Sequence, residues 1–275
     1  MKKQIILSVF TLVGFASAKA QAINPANRIK TAVTLTKQVK QNVSSKTEMQ
    51  GQDMTQRVDN TTSFTYNISA TNEQGATAEI KITAMKMDME MMGREMSYDS
   101  QNPEDGSPEM GEQAKSLMKE AIKLTLDANG LITALKGNEK YLVAMSQSGA
   151  SGLAKGEMLD VFFKVSKTVN PGDTWEDNVD TKESKIASKY TYKNFENGLA
   201  TIEQISTLKL DQRIEQMGMT MYTKQEGTLV ITYTVDPTTL IIKSKSSTTV
   251  TKGTIDAAGQ TMPMSTFVQS TETIQ

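Results

Sequence analysis

The chain has 275 residues, 22% of them charged, 37% hydrophobic and 5% aromatic, with a mean hydropathy of -0.39. That is too long for a disulfide-stapled miniprotein and too polar for a bundle of membrane spans. Cysteine and histidine are both absent, which removes Cys/His zinc sites, thiol chemistry, c-type haem and Ser-His-Asp triads, and points to a binding or structural role before an enzymatic one.

Met1 to Ala22 read as a secretory signal. Lys2 and Lys3 form a basic start, Ile5 to Ala16 an apolar run, and Ala16, Ala18, Ala20 and Ala22 alternate after it. Cleavage fits after Ala18, Ala20 or Ala22; the last is favoured because polar, periodic sequence begins just beyond it. The apolar run is too short for a permanent membrane helix, and no second run follows it. The expected mature chain is exported, periplasmic or extracellular, without a transmembrane segment. Removal of the signal takes Lys2, Lys3 and Lys19 and no acid. What remains is mildly acidic with interspersed charges, so nucleic acid is not an expected partner.

Period-two alternation rich in Thr, Val, Ile and Tyr dominates the rest and predicts half-buried strands. In chain order, a turn at Gly51 and another at Glu73-Gln74-Gly75 precede a strand from Ala78 to Met91. Met110, Ala114, Leu117, Met118, Ala121 and Ile122 then recur at helical spacing, predicting a helix from Pro108 to Lys123 opened by Ser107-Pro108-Glu109. Asn129-Gly130, between Leu124 to Leu126 and Leu131 to Leu135, predicts a type I′ hairpin. Ser146 to Gly152 reads as a loop. Met158, Leu159, Phe162, Phe163 and Val165 predict a second helix that ends before Asn170-Pro171-Gly172. Strands follow at Leu199 to Leu210, Thr228 to Val235 and Leu240 to Val250, parted by turns at Asn197-Gly198, Asp236-Pro237 and Ala258-Gly259.

The halves echo each other. Ile82 to Asp88 matches Ile205 to Asp211 in character, Phe64 to Tyr66 parallels Tyr190 to Tyr192, and Leu126 to Ile132 parallels Val235 to Ile241. Three matches in one order predict a duplication. The expected fold is mainly β (α+β): a curved antiparallel sheet or half-barrel of two pseudo-repeats, with one or two helices on the concave side. Residues 23–275 form one domain, with repeat one about 38–136, a connecting helix about 153–169 and repeat two about 171–275.

Two marks carry a resemblance. A Met-rich strand from Met85 to Met96 runs into Tyr98-Asp99-Ser100, and Pro171-Gly172-Asp173-Thr174-Trp175 forms a turn between the halves. In these the chain resembles an uncharacterised family of exported Gram-negative envelope proteins, a domain of unknown function. The resemblance implies export and a β-rich duplicated fold and supplies no activity. In architecture alone the chain is similar to periplasmic lipoprotein carriers.

Methionine is the compositional outlier, with 18 residues against 7 Phe and 1 Trp. Met85, Met87, Met89 and Met91 stand at alternate positions, so a strand puts them on one face. Met217, Met219 and Met221 repeat the pattern, as do Met262 and Met264. Such a face is a plain core, the lining of an adaptable hydrophobic pocket, or a thioether site for Cu(I). As pocket lining it comprises Met85, Met87, Met89, Met91, Met217, Met219 and Met221, with Leu117 and Met118 from the covering helix. Trp175 either offers its face to a flat ligand or tucks under the sheet. The carboxylate groups Asp99, Glu104, Asp105 and Asp173, Glu176, Asp177 read as solvated turns, without calcium-loop spacing. Ser100 has no histidine beside it. No catalytic residue, metal ligand or cofactor is expected. The leading expectation is a non-enzymatic envelope protein holding a hydrophobic small molecule or a lipidated protein. The alternatives are an interaction module without a small-molecule site and a Cu(I) binder.

Overall fold

The computed structural model describes residues 21–27, 31–49, 51–70, 75–91, 93–138, 153–216, 219–257 and 259–275. The predicted signal peptide, apart from Gln21 and Ala22, and the loop at Ser146 to Gly152 lie outside them. The strands are β1 (Val33–Met49), β2 (Gln52–Ile68), β3 (Ala76–Met91), β4 (Arg94–Asp99), β5 (Ile122–Leu126), β6 (Ile132–Lys136), β7 (Thr174–Asp180), β8 (Ser184–Glu196), β9 (Leu199–Gln216), β10 (Met219–Val235), β11 (Ile242–Ala257) and β12 (Gln260–Ile274). One helix, α1 (Pro108–Met118), interrupts the first half. It starts at the Ser-Pro signal and stops short of the predicted Lys123. Ile122 is claimed by β5, and the Asn138 amide donates to the carbonyls of Leu117 and Glu120 at the helix end.

All twelve strands join one antiparallel sheet in the order β6-β5-β3-β2-β1-β12-β11-β10-β9-β8-β7, with β4 beside the far half of β3. The echoing segments fall on β2, β3 and the β5–β6 turn, and on β8, β9 and the β10–β11 turn. The sheet therefore reads β6-β5-β3-β2-β1 and then, beyond β12, β11-β10-β9-β8-β7. Two meanders are laid side by side in the same sense, as a duplication requires.

The type I′ turn falls elsewhere than expected. Only Gly130 of the Asn129-Gly130 pair has positive φ. The Asp127 carboxylate accepts from the amides of Asn129 and Leu131 and holds a longer loop there. Asn197 and Gly198, with φ 53° and 80°, form the two-residue turn between Glu196 and Leu199.

The segment at 153–169 is not the predicted helix. Leu159, Val161, Phe163 and Val165 are buried at alternate positions, so the stretch is extended. Its backbone is satisfied by strand ends instead of by its own turns. Ile132 donates to the Glu157 carbonyl and accepts from Gly156, both at 2.8 Å. Ile242 donates to Val161 at 2.9 Å, and Phe163 donates to Leu240 at 2.8 Å. β6 and β11 are six strand steps apart, about 29 Å in a flat sheet. Glu157 to Val161 can reach at most about 14 Å. The sheet is therefore curled at this end, and the cross-connection closes it. Ile80, Ile122, Leu126, Ile132, Tyr192, Ile202, Val235 and Leu240 fill the closed end with the cross-connection itself. The remaining halves of the long strands extend beyond this core as an open trough.

Candidate functional site

On β3 the trough's inner face is set by a β-bulge. Ser63 pairs with Ala84 but Phe64 pairs with Ile82, so Thr83 is an extra residue in β3. Before it, Ala78, Ile80 and Ile82 face the core; after it, Met85, Met87, Met89 and Met91 do. Without the bulge the two sets would point to opposite faces. Met85 is buried at 8% exposure, Met87 and Met89 are half-buried, and Met91 is 38% exposed at the far tip. Lys86, Asp88 and Glu90 face outward and are exposed. The same bulge limits the internal echo. Ile82 is 3% exposed but its counterpart Ile205 is 49% exposed on the outer face, whereas Met85 and Leu208 share the inner face.

Inter-strand register assembles a row on the inner face that is apolar except at Thr249. Met96 pairs with Met89, Met89 with Val58, Val58 with Val43, and Val43 with Val268. Val268 then pairs with Thr249 and Thr249 with Leu229. Every member is half-buried, while the outward Asp88, Arg57, Phe267, Val250 and Val230 are exposed. Among the described residues, α1 packs on β3 and β4, and the cross-connection covers the closed end. The row is shielded by the sheet's own concavity. Flanking it are uncharged polar rows, Asn60, Gln41, Ser270 and Ser247 on one side and Gln56, Ser45, Thr266 and Thr251 on the other.

A crease deepens the trough at β10 and β11. A Cβ on Gly227 would lie 2.0 Å from the Val250 carbonyl oxygen, and one on Gly253 would lie 1.8 Å from that of Lys224. Only glycine admits so close an approach of neighbouring backbone. Thr223, 1% exposed, and Thr251 are buried there, and Thr251 donates to the Gln225 amide oxygen at 2.7 Å.

Between trough and core runs a polar belt. Lys37 Nζ lies 2.7 Å from both Asp160 and Glu272, and Lys245 Nζ lies 2.7 Å from Glu272. Tyr66 donates to Asp160 at 3.1 Å. Burial works against the charge on Lys37, yet Asp160 and Glu272 outweigh it and hold the ammonium above its ordinary range. Burial likewise opposes charge on Glu272, and Lys37 with Lys245 hold its carboxyl below the usual range. The belt continues through Tyr233, which donates to Gln204, and Gln204 donates to Ser206. Burial pushes the Tyr233 hydroxyl far up, and pushes Tyr190 up to about 12. No signal in the sequence marks these partners, because Lys37, Asp160 and Glu272 are remote along the chain.

The remaining sequence-predicted residues sort as follows. Leu117 and Met118 pack against the core from α1. Met221 lies half-buried on the trough face of β10. Met217 and the side chain of Met219 lie outside the described residues. Met85 to Met91 on β3 and Met221 on β10 lie on the same inner face, with four strands between them in the sheet order. Trp175 is partly buried, stacked on Tyr190 at 5.2 Å and edge-on to Phe163 at 6.3 Å. Ser100 accepts from the Met85 amide, Asp99 from that of Gln101 and Asp173 from that of Asn170, all turn-holding roles. Asp177 pairs with Lys164 at 3.3 Å.

Comparison with known proteins adds a family and little else. A family model described as a family of unknown function, DUF6263, matches residues 73–165 and again residues 154–242. No curated protein matches the sequence. Among solved structures, one titled for lipid–protein interactions in lipovitellin aligns at TM-score 0.46 and 13% identity, over 88% of this chain and 25% of that one. The chain thus spans about a quarter of that protein's length. The translocator domain of the autotransporter NalP from Neisseria meningitidis aligns at TM-score 0.23 and 8% identity, over 87% of this chain and 88% of that one. OccAB4 of Acinetobacter baumannii aligns at 0.21 and 7%, over 92% of this chain and all of that one. At such scores these likenesses carry neither ligand nor activity to this chain.

Proposed function

For a chain that belongs to DUF6263, a family of unknown function, we propose the role of an exported, non-enzymatic binding protein of the cell envelope, holding an apolar or acyl-bearing ligand across the concave face of its sheet. The row from Met96 through Met89, Val58 and Val43 to Val268, and on across Thr249 to Leu229, supports this reading. It is a half-buried apolar band with no covering layer among the described residues. Binding draws on apolar burial at roughly 25 cal/mol per Å², and flexible thioethers let the wall adapt to chains of different shape. The experiment is native mass spectrometry of gently purified mature protein, followed by organic extraction. Co-purifying lipid that is lost on Val268→Glu supports the role; bare chain that also fails to take up added lipid sinks it.

A second reading has its own observation. Phe267, Val250, Val230 and Ile205 are exposed on the outer face of four adjacent strands, with Phe267 opposite Val250 and Val230 opposite Ile205. An apolar island of this kind suits a protein contact. Sedimentation of the wild type beside Val250→Lys tests it.

A further inference from the structure

Resting on the reading of the concave face as a ligand trough, we infer that it takes an uncharged chain, such as an acyl ester, glyceride or long alcohol, and discriminates against carboxylate and amine amphiphiles. The ground is a partition of charge between the two faces of seven of its strands; on β7 the inner face does carry Asp177, which Lys164 of the cross-connection pairs at 3.3 Å. Beyond the polar belt, the described inner-face side chains of β1, β2, β3, β9, β10, β11 and β12 are Met, Val, Leu, Ile, Ala, Gly, Ser, Thr, Asn and Gln. None is ionisable. The ionised residues of the same strand stretches, such as Lys40, Asp59, Lys86, Lys209, Glu226 and Lys252, point outward. At the trough's floor Lys37 and Lys245 carry cationic charge, but both are already engaged by Asp160 and Glu272. Among the described residues at this floor, each lysine faces a carboxylate and each carboxylate a lysine, and one buried oxygen of Asp160 accepts no hydrogen bond. Arg94 faces the same side only at the exposed tip of the β3–β4 hairpin.

A buried ion without a partner is strongly disfavoured, whereas an ester, hydroxyl or amide can be met by the amides and hydroxyls of the flanking rows. Gln41, Asn60, Gln56 and Thr266 stand beside the apolar band, one pleat away. The Thr223 hydroxyl is buried in the crease without a partner. That is the lining of a site for a neutral, weakly polar chain.

The test uses mature protein and three probes of matched length, 1-monoolein, oleate and oleylamine, with complexes measured by native mass spectrometry and equilibrium dialysis at neutral pH. Monoolein is expected to bind at least about tenfold more tightly than either ionised probe. Val43→Lys places an ammonium in the apolar row and is expected to shift preference towards oleate. Ser44→Lys, one residue along and on the outer face, is expected to leave the preference unchanged. Wild-type protein that binds oleate or oleylamine as tightly as monoolein overturns the inference while leaving the trough reading in place. Failure of all three probes to bind overturns the trough reading itself.

A separate observation concerns processing, and rests on the export reading. We infer that the signal is cut upstream of Gln21, after Ala18 or Ala20, and not after Ala22. The Gln21 carbonyl accepts from the Tyr192 hydroxyl at 2.7 Å, and Tyr192 is otherwise buried. Ile23 is fully buried, donates to the Val169 carbonyl at 2.9 Å and accepts from Val169 at 3.0 Å. A cut after Ala22 would strip Tyr192 of its acceptor and turn the buried Ile23 amide into an ammonium. Intact mass and N-terminal sequencing of exported protein decide the matter. A start at Lys19 or Gln21 is expected, and a start at Ile23 overturns the inference. An uncleaved chain removes the export reading on which it stands.

Discussion

Lys37 on β1 holds Asp160 of the cross-connection at 2.7 Å, 123 residues away along the chain, and with the same ammonium holds Glu272 on β12. The contact fastens the segment that closes the curled end to the strands at the centre of the sheet.

Breaking that contact leaves two carboxylates without their shared cation. Lys37→Met is expected to cost about 3 kcal/mol, the scale for removing one partner of a buried pair. Lys46→Met, which breaks an exposed pair with Asp53 at 2.7 Å, is expected to change little. Urea denaturation of the two variants checks the contrast; equal midpoints would refute a structural role for the belt.

The belt also sets a pH dependence. The Glu272 carboxyl is held below its unfolded value, so its contribution is full above about pH 4.3 and is lost as pH falls through the folded value. Lys37 is held above its unfolded value, so its contribution is full below about pH 10.4 and is lost as pH rises through the folded value. Stability is expected to be flat near neutrality and to decline in acid, with a shallower acid limb in Glu272→Gln. An acid limb of unchanged slope in that variant would assign it to other carboxylates.

The burial gradient along β3 predicts an order of oxidation. Met91 at the exposed tip should form sulfoxide fastest under peroxide, Met87 and Met89 more slowly, and Met85 slowest. Peptide mass spectrometry over a time course reads this directly. Equal rates at all four positions would contradict their placement along one inward face.

The crease predicts intolerance at two glycines. Gly253→Ala puts a methyl carbon against the Lys224 carbonyl, and Gly227→Ala puts one against that of Val250. Each is expected to lower stability by about 1–3 kcal/mol, since the obstructing atom is backbone. A thermal midpoint unchanged in both variants would show that the sheet is not folded inward there.

Much of the architecture was legible because it is local. Alternation of Met85, Met87, Met89 and Met91 requires only that the stretch be a strand, and the Ser-Pro start with its helical stripe was enough for α1. The cross-connection misled for the same reason. Met158, Leu159, Phe162 and Phe163 satisfy a helical spacing, but Val161 and Val165 complete an equally good alternation. Acceptors and donors on Ile132, Leu240 and Ile242 made the extended form the better one. The Asn129-Gly130 turn was likewise displaced by the nearby Asp127 carboxylate.

By itself, then, the sequence determined that this is a strand-dominated, duplicated chain with a helix opened at Ser107-Pro108 and one methionine-lined strand face, since periodicity and turn chemistry act over a few residues. Only the tertiary structure decided that the face points inward, because an extra residue at Thr83 reverses the strand's parity within its sheet. Register alone brings Val58, Val43 and Val268 into line with Met89. The ion belt joins Lys37 to Asp160 and Glu272, more than a hundred residues away, and the closure joins the cross-connection to the ends of β6 and β11, contacts made only when the whole sheet has curled.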